Sequence, residues 1–290
     1  MLTTIEILKK VRELEIKSKK LTRHIFTGEY HSAFKGRGML FKEVREYHHG
    51  DDIRFIDWNV SARFNHPFSK VFEEERELTV MLLVDISASS LFGTVHARKR
   101  DLITEIAAVL AFSAVSNNDK VGVIFFSDRV ERFIPPKKGR DHVLYIVREL
   151  LTVDTKHRGT KFSEALARLN NATRQKSIVF ALSDFLDPAF EESLKVAGKK
   201  HDVIGVKVYD KMDMELPHAG MMEVEDAETG MMQWIDTENK FVRHQYQQAF
   251  FQHTDYCKNV FVRAGCDLLH IRTDEDYVKV LKKFFIGRNR

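Results

Sequence analysis

Two short segments of this chain bring together oxygen donors suited to a hard cation. Asp85-Ile86-Ser87-Ala88-Ser89 follows the apolar run Val80-Met81-Leu82-Leu83-Val84, and Ser183-Asp184 follows Ile178-Val179-Phe180-Ala181-Leu182. A carboxylate directly after a buried strand is disfavoured unless something pairs with it. Gly159-Thr160 offers another hydroxyl in a loop just before a helix. Asp85, Ser87, Ser89, Thr160 and Asp184 together supply two carboxylates and three neutral hydroxyls. This donor set suits Mg²⁺ or Mn²⁺ and not zinc. Two negative charges leave such a dication electrophilic, able to accept a carboxylate from another molecule. The plainer alternative is that Asp85 and Ser87 cap the following helix and Asp184 caps another.

Competing chemistries lack parts. A dehalogenase-like phosphatase also places a nucleophilic Asp after a buried strand, but it needs a general acid two residues later, where this chain has Ser87. Ser87 also lacks the G-x-S-x-G elbow of a serine hydrolase. A non-enzymatic binding module is therefore the leading expectation, with a Mg²⁺-dependent phosphoryl-transfer hydrolase as the alternative.

The elements that must position these residues follow from the apolar pattern. From residue 79 onward, strand-like runs that are apolar without alternation separate segments of helical spacing, as in a parallel sheet covered on both faces. Strands are expected at Val80–Val84, Val121–Phe126, Val130–Ile134 (closing at Pro135-Pro136), Ile178–Leu182, Val203–Val208 and Leu268–Ile271. Helices are expected over about 95–115, 140–152, 162–171, after Pro188, over 240–264 and from about Asp274. Met221–Val224 and Met231–Ile235 flank Asp226-Ala227-Glu228-Thr229-Gly230, a hairpin signal. Ligands of open α/β sheets sit outside the carboxyl ends of the strands where the strand order reverses, so the first and fourth strands should lie side by side there.

Residues 1–24 read as a basic amphipathic helix, with Ile7, Val11, Leu14, Ser18 and Leu21 along one stripe. It either docks on its own domain or meets an anionic membrane surface or a partner. Residues 25–78 differ in kind. They are aromatic, charged and rich in strand formers, and are expected to form a small antiparallel element packed on the main domain. Runs at Met39–Tyr47 and Ile53–Trp58 flank the turn signal His49-Gly50-Asp51-Asp52. Arg45, Asp51, Asp52, Arg54, Asp57 and Arg63 are expected to form a salt-bridge network packed by Tyr47 and Trp58. A docking surface is the rival use of this block. His24, His31, His48, His49 and His66 lack metal-ligand spacing.

With 290 residues, 43% of them apolar and 30% charged, the chain can bury a sizeable core. Only residues 1–24 are basic: they hold seven Lys and Arg against three Glu, which accounts for the whole net charge of +4. A nucleic-acid binder would carry its basic face on the folded body. The longest apolar stretch, Ile106–Val115, is half the roughly 20 residues of a membrane span. Two cysteines, Cys257 and Cys266, make no disulfide framework and point to a reducing compartment. A cytoplasmic location is expected, with peripheral membrane association through the basic helix.

The pattern Asp85-x-Ser87-x-Ser89, then Thr160, then Asp184 resembles the metal-ion-dependent adhesion site of von Willebrand factor A domains. That resemblance implies a Rossmann-like sheet of order 3-2-1-4-5-6. It also implies metal ligation by those five residues, with a partner's acidic side chain completing the shell. The upstream residues Ser32-x-Phe34-x-Gly36-x-Gly38, Phe41-x-x-Val44-Arg45-x-Tyr47, Gly50-Asp51-Asp52-x-Arg54-x-Ile56-Asp57-Trp58, Ser61-Ala62-Arg63 and Glu75-Arg76 narrow it. Over roughly residues 25–285 the chain resembles the "domain of unknown function 58" family. Members resemble von Willebrand A proteins encoded beside MoxR-type AAA+ ATPases, which implies such an ATPase and a client protein as partners. Two departures stand out. Longer members carry N-terminal membrane helices where this chain has its basic helix, and Ser90 stands where a Met often follows the last serine of the metal motif.

Overall fold

The computed structural model describes residues 4–21, 40–73, 78–94, 97–153 and 157–288. The motif residues between Ser32 and Gly38, with His24, His31, Met39, Glu75 and Arg76, lie outside the described residues. The chain divides into two compact units, Lys35–Leu78 and the remainder.

The larger unit is built on six strands: β3 (Thr79–Asp85), β4 (Lys120–Phe126), β5 (Val130–Lys137), β6 (Ile178–Ser183), β7 (Asp202–Tyr209) and β10 (Asp267–Arg272). Their order is β10-β7-β6-β3-β4-β5. Numbered within this sheet alone, that is 3-2-1-4-5-6, the von Willebrand factor A-like arrangement. All neighbours are parallel except the edge strand β5, which runs antiparallel to β4. Every residue of β6, and all but the first of β3 and β4, is buried, because helices cover both faces.

On one face Met81, Leu83, Ile124, Phe126, Val179 and Ala181 meet residues from helices Phe162–Ala172, Glu191–Lys200 and Lys240–Arg263. On the other, Phe180 packs edge-on against Phe285 of helix Tyr277–Arg288, and Tyr277 donates to Glu105 (2.5 Å) of the helix Lys99–Ser116. Strand β5 continues through Pro135 and Pro136 to Lys137 instead of stopping at them. A strand edge tolerates residues without an N–H donor. Pro188 lies in the turn before its helix, which starts at Glu191.

The N-terminal helix, Thr4–Leu21, docks on helices Lys99–Ser116 and Arg140–Thr152 of this same unit. Arg140 forks onto Glu15 with two 3.0 Å hydrogen bonds, Lys17 pairs with Glu105, and Ser18 is buried. Of the expected stripe, Ile7, Val11, Leu14 and Ser18 lie on the less exposed face with Glu15 buried beside them, while the Leu21 side chain lies outside the described residues. Lys9, Lys10 and Arg12 stay exposed. No helix among the described residues is long and apolar enough to cross a membrane.

In the smaller unit β1 (Leu40–Glu46) pairs antiparallel with β2 (Phe68–Glu73). Ile53–Trp58 is not the strand its composition suggests. Residues 53–55 form a single 3₁₀ turn, Ile56 bridges to Ser69, and Trp58–Phe64 is an α-helix. The two aspartates cause this. Asp52 accepts from the Arg54 N–H (3.0 Å), and Asp57 accepts from the Asn59 and Val60 N–H groups (3.0 and 3.2 Å), a helix cap. Charge pairing is local: Arg45 with Asp51 (2.8 Å), Arg54 with Asp52 (2.6 Å) and Asp57 with Lys70 (3.3 Å). Tyr47 does brace Asp51, donating to its carbonyl at 3.2 Å. Trp58 packs nothing of the kind, being 69% exposed.

Gly205 in β7 allows Phe261 to lie against the sheet. A Cβ there would sit 2.5 Å from two Phe261 ring atoms and 2.8 Å from a Leu268 methyl. Gly205→Val should therefore lower unfolding free energy by about 1–3 kcal/mol in denaturant titration, although Val favours strands. A neutral or stabilising result would show that Phe261 is free to move aside.

Candidate functional site

Asp85 is the last residue of β3 and Ser183 the last of β6, one residue later in each strand than the sequence suggests. The two strands are neighbours with Val84 opposite Leu182, so Asp85 and Asp184 emerge at the same edge of the sheet. This is the point where the chain leaves β3 for β4 on one side and β6 lies on the other, the crevice of an open sheet.

Each donor is held by a local device. Asp85 is 1% exposed; its Oδ1 accepts from the Ser87 N–H at 2.8 Å and its Oδ2 from the Ser183 hydroxyl. Ser87 and Ser89 hydroxyls lie 3.0 Å apart, and the Ser90 hydroxyl closes the 88–91 turn by donating to the Ser87 carbonyl at 2.6 Å. Thr160 sits on a loop pinned from both sides. The Ala88 N–H donates to the Arg158 carbonyl (3.1 Å) and the Lys161 N–H to the Ser127 carbonyl (2.7 Å). Phe185 turns the chain after Asp184 with φ 57°, a strained value for a bulky residue, and its N–H donates to the Ser183 hydroxyl at 2.9 Å. Its ring is held by Phe162, Phe190 and Phe261 at centroid separations of 5.1–6.0 Å.

Two lysines that sequence reasoning missed organise the charges. Lys99, the first residue of its helix and 3% exposed, binds Asp184 Oδ2 at 2.8 Å and Asp213 at 3.2 Å. Lys207 donates to the Asp184 carbonyl at 2.5 Å from inside β7. Lys207 was detectable: one lysine in Val203-Ile204-Gly205-Val206-Lys207-Val208 must find a partner in a strand buried on both faces. Lys99 carried no such signal. Asp184 therefore does not cap a helix; it is half of a buried ion pair. The 85–90 segment does keep a local capping geometry through Asp85, but Ser87 makes no side-chain cap bond.

These partners split the two carboxylates electrostatically. Burial pushes the Asp85 carboxyl up, and the Asp184 charge adds to it, to about 7, against opposing bonds from Ser183 and Ser87. Burial would push Asp184 up as well, but the Lys99 ammonium outweighs it and holds that carboxyl below its ordinary value. Burial pushes the Lys99 ammonium down, but Asp184 and Asp213 outweigh it and hold the group above its ordinary value.

The residues present fit a hard divalent cation. Thr160 Oγ1 and Asp184 Oδ1 are buried without a hydrogen-bond partner, and Lys99 occupies only the other oxygen of Asp184. Such orphaned oxygens are uncommon in native proteins, and a bound water or ion would satisfy them. Among the described residues no group of three or more His, Cys, Asp and Glu side chains is placed to hold a metal, so a cation here would rest on two carboxylates plus hydroxyls.

Residues 43–256 match the family model described as "Protein of unknown function DUF58". The chain belongs to the DUF58 family. The match covers the Arg45–Asp57 block, both site aspartates and the hairpin, and ends inside the helix Lys240–Arg263. An uncharacterized protein of Mycobacterium tuberculosis (strain ATCC 25618 / H37Rv) is 30% identical over 283 residues, 97% of this chain and 89% of its own. A second, from Mycobacterium avium, is 26% identical over 160 residues, 54% of this chain and 94% of its own. Among solved structures, the conserved hypothetical protein BatB from Bacteroides thetaiotaomicron is similar at a TM-score of 0.47 and 16% identity, over 73% of this chain and 98% of its own. An aerotolerance-related membrane protein from Bacteroides fragilis is similar at 0.49 and 15%, with the same coverage.

A raised carboxyl pKa ties the stability of this DUF58 chain to pH. Asp85 ionises near 3.9 in the unfolded chain and near 7 in the folded one. The folded state thus holds the extra proton between those values, and stability falls as pH rises from about 4 to about 7, then levels. Asp184 acts oppositely, losing its contribution only as pH drops below its ordinary range. In chelator-treated protein, Asp85→Asn should abolish the decline between pH 5 and 7 in thermal melts. Parallel wild-type and variant profiles would show that Asp85 is ionised throughout.

Proposed function

We propose that this chain is a non-enzymatic protein-interaction module that grips an acidic side chain of a partner through a divalent cation. Asp85, Ser87, Ser89, Thr160 and Asp184 would hold Mg²⁺ or Mn²⁺ there. A bound cation would supply a Lewis-acidic position open to a carboxylate oxygen. The observation carrying this reading is the pair of buried, unpartnered oxygens, Thr160 Oγ1 and Asp184 Oδ1, at the crevice of the sheet. The protein's own contribution is placement. The strand ends fix Asp85 and Asp184, the pinned 157–161 loop fixes Thr160, and Lys99 orients Asp184 from the far side.

The hydrolase alternative draws no support from the site. Ser87, where a general acid would stand, is hydrogen-bonded to Ser89, and the ammonium of Lys99 is engaged by Asp184 and Asp213.

On the strength of the family resemblance, the partner is a MoxR-type AAA+ ATPase, with this chain coupling it to a client. The exposed Lys9, Lys10 and Arg12 provide a salt-sensitive second contact, to that partner or to an anionic membrane surface. Two modest contacts on one chain reinforce each other where geometry lets both engage.

The test is capture of a purified MoxR-type ATPase, with Mg²⁺ or with chelator. Chelation, Asp85→Ala and Thr160→Ala should each weaken association by about tenfold or more, equivalent to about 1.4 kcal/mol, in variants that keep their circular dichroism. Undiminished binding in all three conditions would move the grip elsewhere, with the 28–63 block the next surface to test.

A further inference from the structure

The β8–β9 hairpin (Met221–Glu225 and Met232–Asp236) brings a third carboxylate to this site. Its base is closed by Thr237, whose hydroxyl donates to the Gly220 carbonyl at 2.7 Å and accepts from the Ala219 N–H at 3.0 Å. Its tip folds onto the loop that carries Thr160. Arg158 binds Glu225 at 2.8 Å, and Gly230 lies so close that a Cβ would run into the Arg158 guanidinium. Glu228, in the turn, then rests against Thr160. Its Oε1 is buried and, like Thr160 Oγ1 and Asp184 Oδ1, has no hydrogen-bond partner. Burial pushes the Glu228 carboxyl up and the Asp184 charge adds to that, while Thr160 opposes it from close range without reaching hydrogen-bond geometry.

Three oxygens from three separate segments are thus orphaned at one place. We infer that Glu228 is an internal occupant of the position that a partner's carboxylate takes, carried over the site by the hairpin and displaced when the partner binds. The inference rests on the metal-dependent reading above. Among the described residues no three acidic side chains close round a common point, and Glu228 stands at Thr160.

The hairpin is built to be moved. Most of its strand residues are exposed and none is buried, so little apolar burial opposes its opening. Arg158–Glu225 is an exposed pair at 54% and 51%, worth little once solvent competes. A cap held this loosely lowers partner affinity by the fraction of molecules that are capped, and gives a partner that engages the hairpin a way to open the site.

Mn²⁺ alone is the first probe, titrated into the full chain, Glu228→Gln, Arg158→Ala and Asp85→Ala. Calorimetry reads affinity, and water-proton relaxation reads the number of exchangeable waters on the bound ion. Hexaglutamate is then added as a carboxylate competitor. If Glu228 enters the shell, Glu228→Gln keeps Mn²⁺ binding but carries more exchangeable water than wild type. Hexaglutamate displaces that water at about tenfold lower concentration, as expected if nine-tenths of wild-type molecules are capped. Arg158→Ala moves in the same direction with Glu228 intact. Equal hydration and equal hexaglutamate response in wild type and Glu228→Gln, with Mn²⁺ bound by both and lost in Asp85→Ala, would overturn the cap and leave the metal site standing. Loss of all Mn²⁺ binding in Glu228→Gln would make Glu228 an obligatory ligand and overturn displacement. Failure of wild type to bind Mn²⁺ would remove the site itself and this inference with it.

Discussion

Two carboxylates buried at the ends of adjacent parallel strands are the constraint from which the rest of this site follows. Asp85 follows the paired Val84 by one residue and Asp184 follows Leu182 by two, and they are 1% and 5% exposed. Two like charges cannot both ionise cheaply in such a place. The chain resolves this asymmetrically. Asp184 has a fixed ammonium, Lys99, and stays ionised; Asp85 has only hydrogen bonds and takes up a proton near neutrality. Lys99 is itself buried only because Asp184 and Asp213 hold its charge, so neither half of the pair is dispensable.

The fold supports that asymmetry from several layers away. Lys99 can reach Asp184 because its helix starts beside the crevice and runs back across the sheet. Phe185 is held at a positive φ by an aromatic cluster drawn from two helices and the residue before a third, a strain of about 1–3 kcal/mol that the packing must offset. That turn keeps Asp184 at the sheet edge instead of continuing β6. The core and the site are therefore one construction. Shaving the Phe162–Phe185–Phe190–Phe261 cluster would be felt at Asp184 without touching any polar group.

Most of the α/β body was legible in the chain because strands covered on both faces must be apolar throughout. Val80–Val84 and Ile178–Leu182 admit no other reading once helices lie between them. The site aspartates were legible for the complementary reason, as charges at the ends of such runs. What was not legible depends on tertiary geometry or on capping. Ile53–Trp58 has strand composition, yet Asp52 and Asp57 sit where their carboxylates accept from backbone N–H groups two and three residues on, and that local bonding decides for turn and helix. Pro135 and Pro136 read as a stop because the sequence does not say that β5 is an edge. Lys99 and Glu228 look like ordinary surface residues, one at a helix start and one in a turn. Only the folded chain brings them within reach of Asp184.

The local charge balance explains why a cation here would be held weakly and would cooperate with its partner. Asp184 has two oxygens and divides them, one to Lys99 and one left open, so the pair and a metal need not exclude each other. Lys99 nevertheless cancels much of the charge that a dication would otherwise see, and Asp85 must lose its proton before it can contribute its own. A second carboxylate arriving from outside supplies the missing negative charge where it counts. On the proposed reading, partner and cation then raise each other's affinity by the same factor, since the linkage between two binding events is reciprocal. An internal carboxylate such as Glu228 offers the same charge without a partner. On that reading the resting chain would keep a cation without leaving an exposed electrophilic position, and the partner would compete against one glutamate on a loosely held hairpin rather than against bulk water.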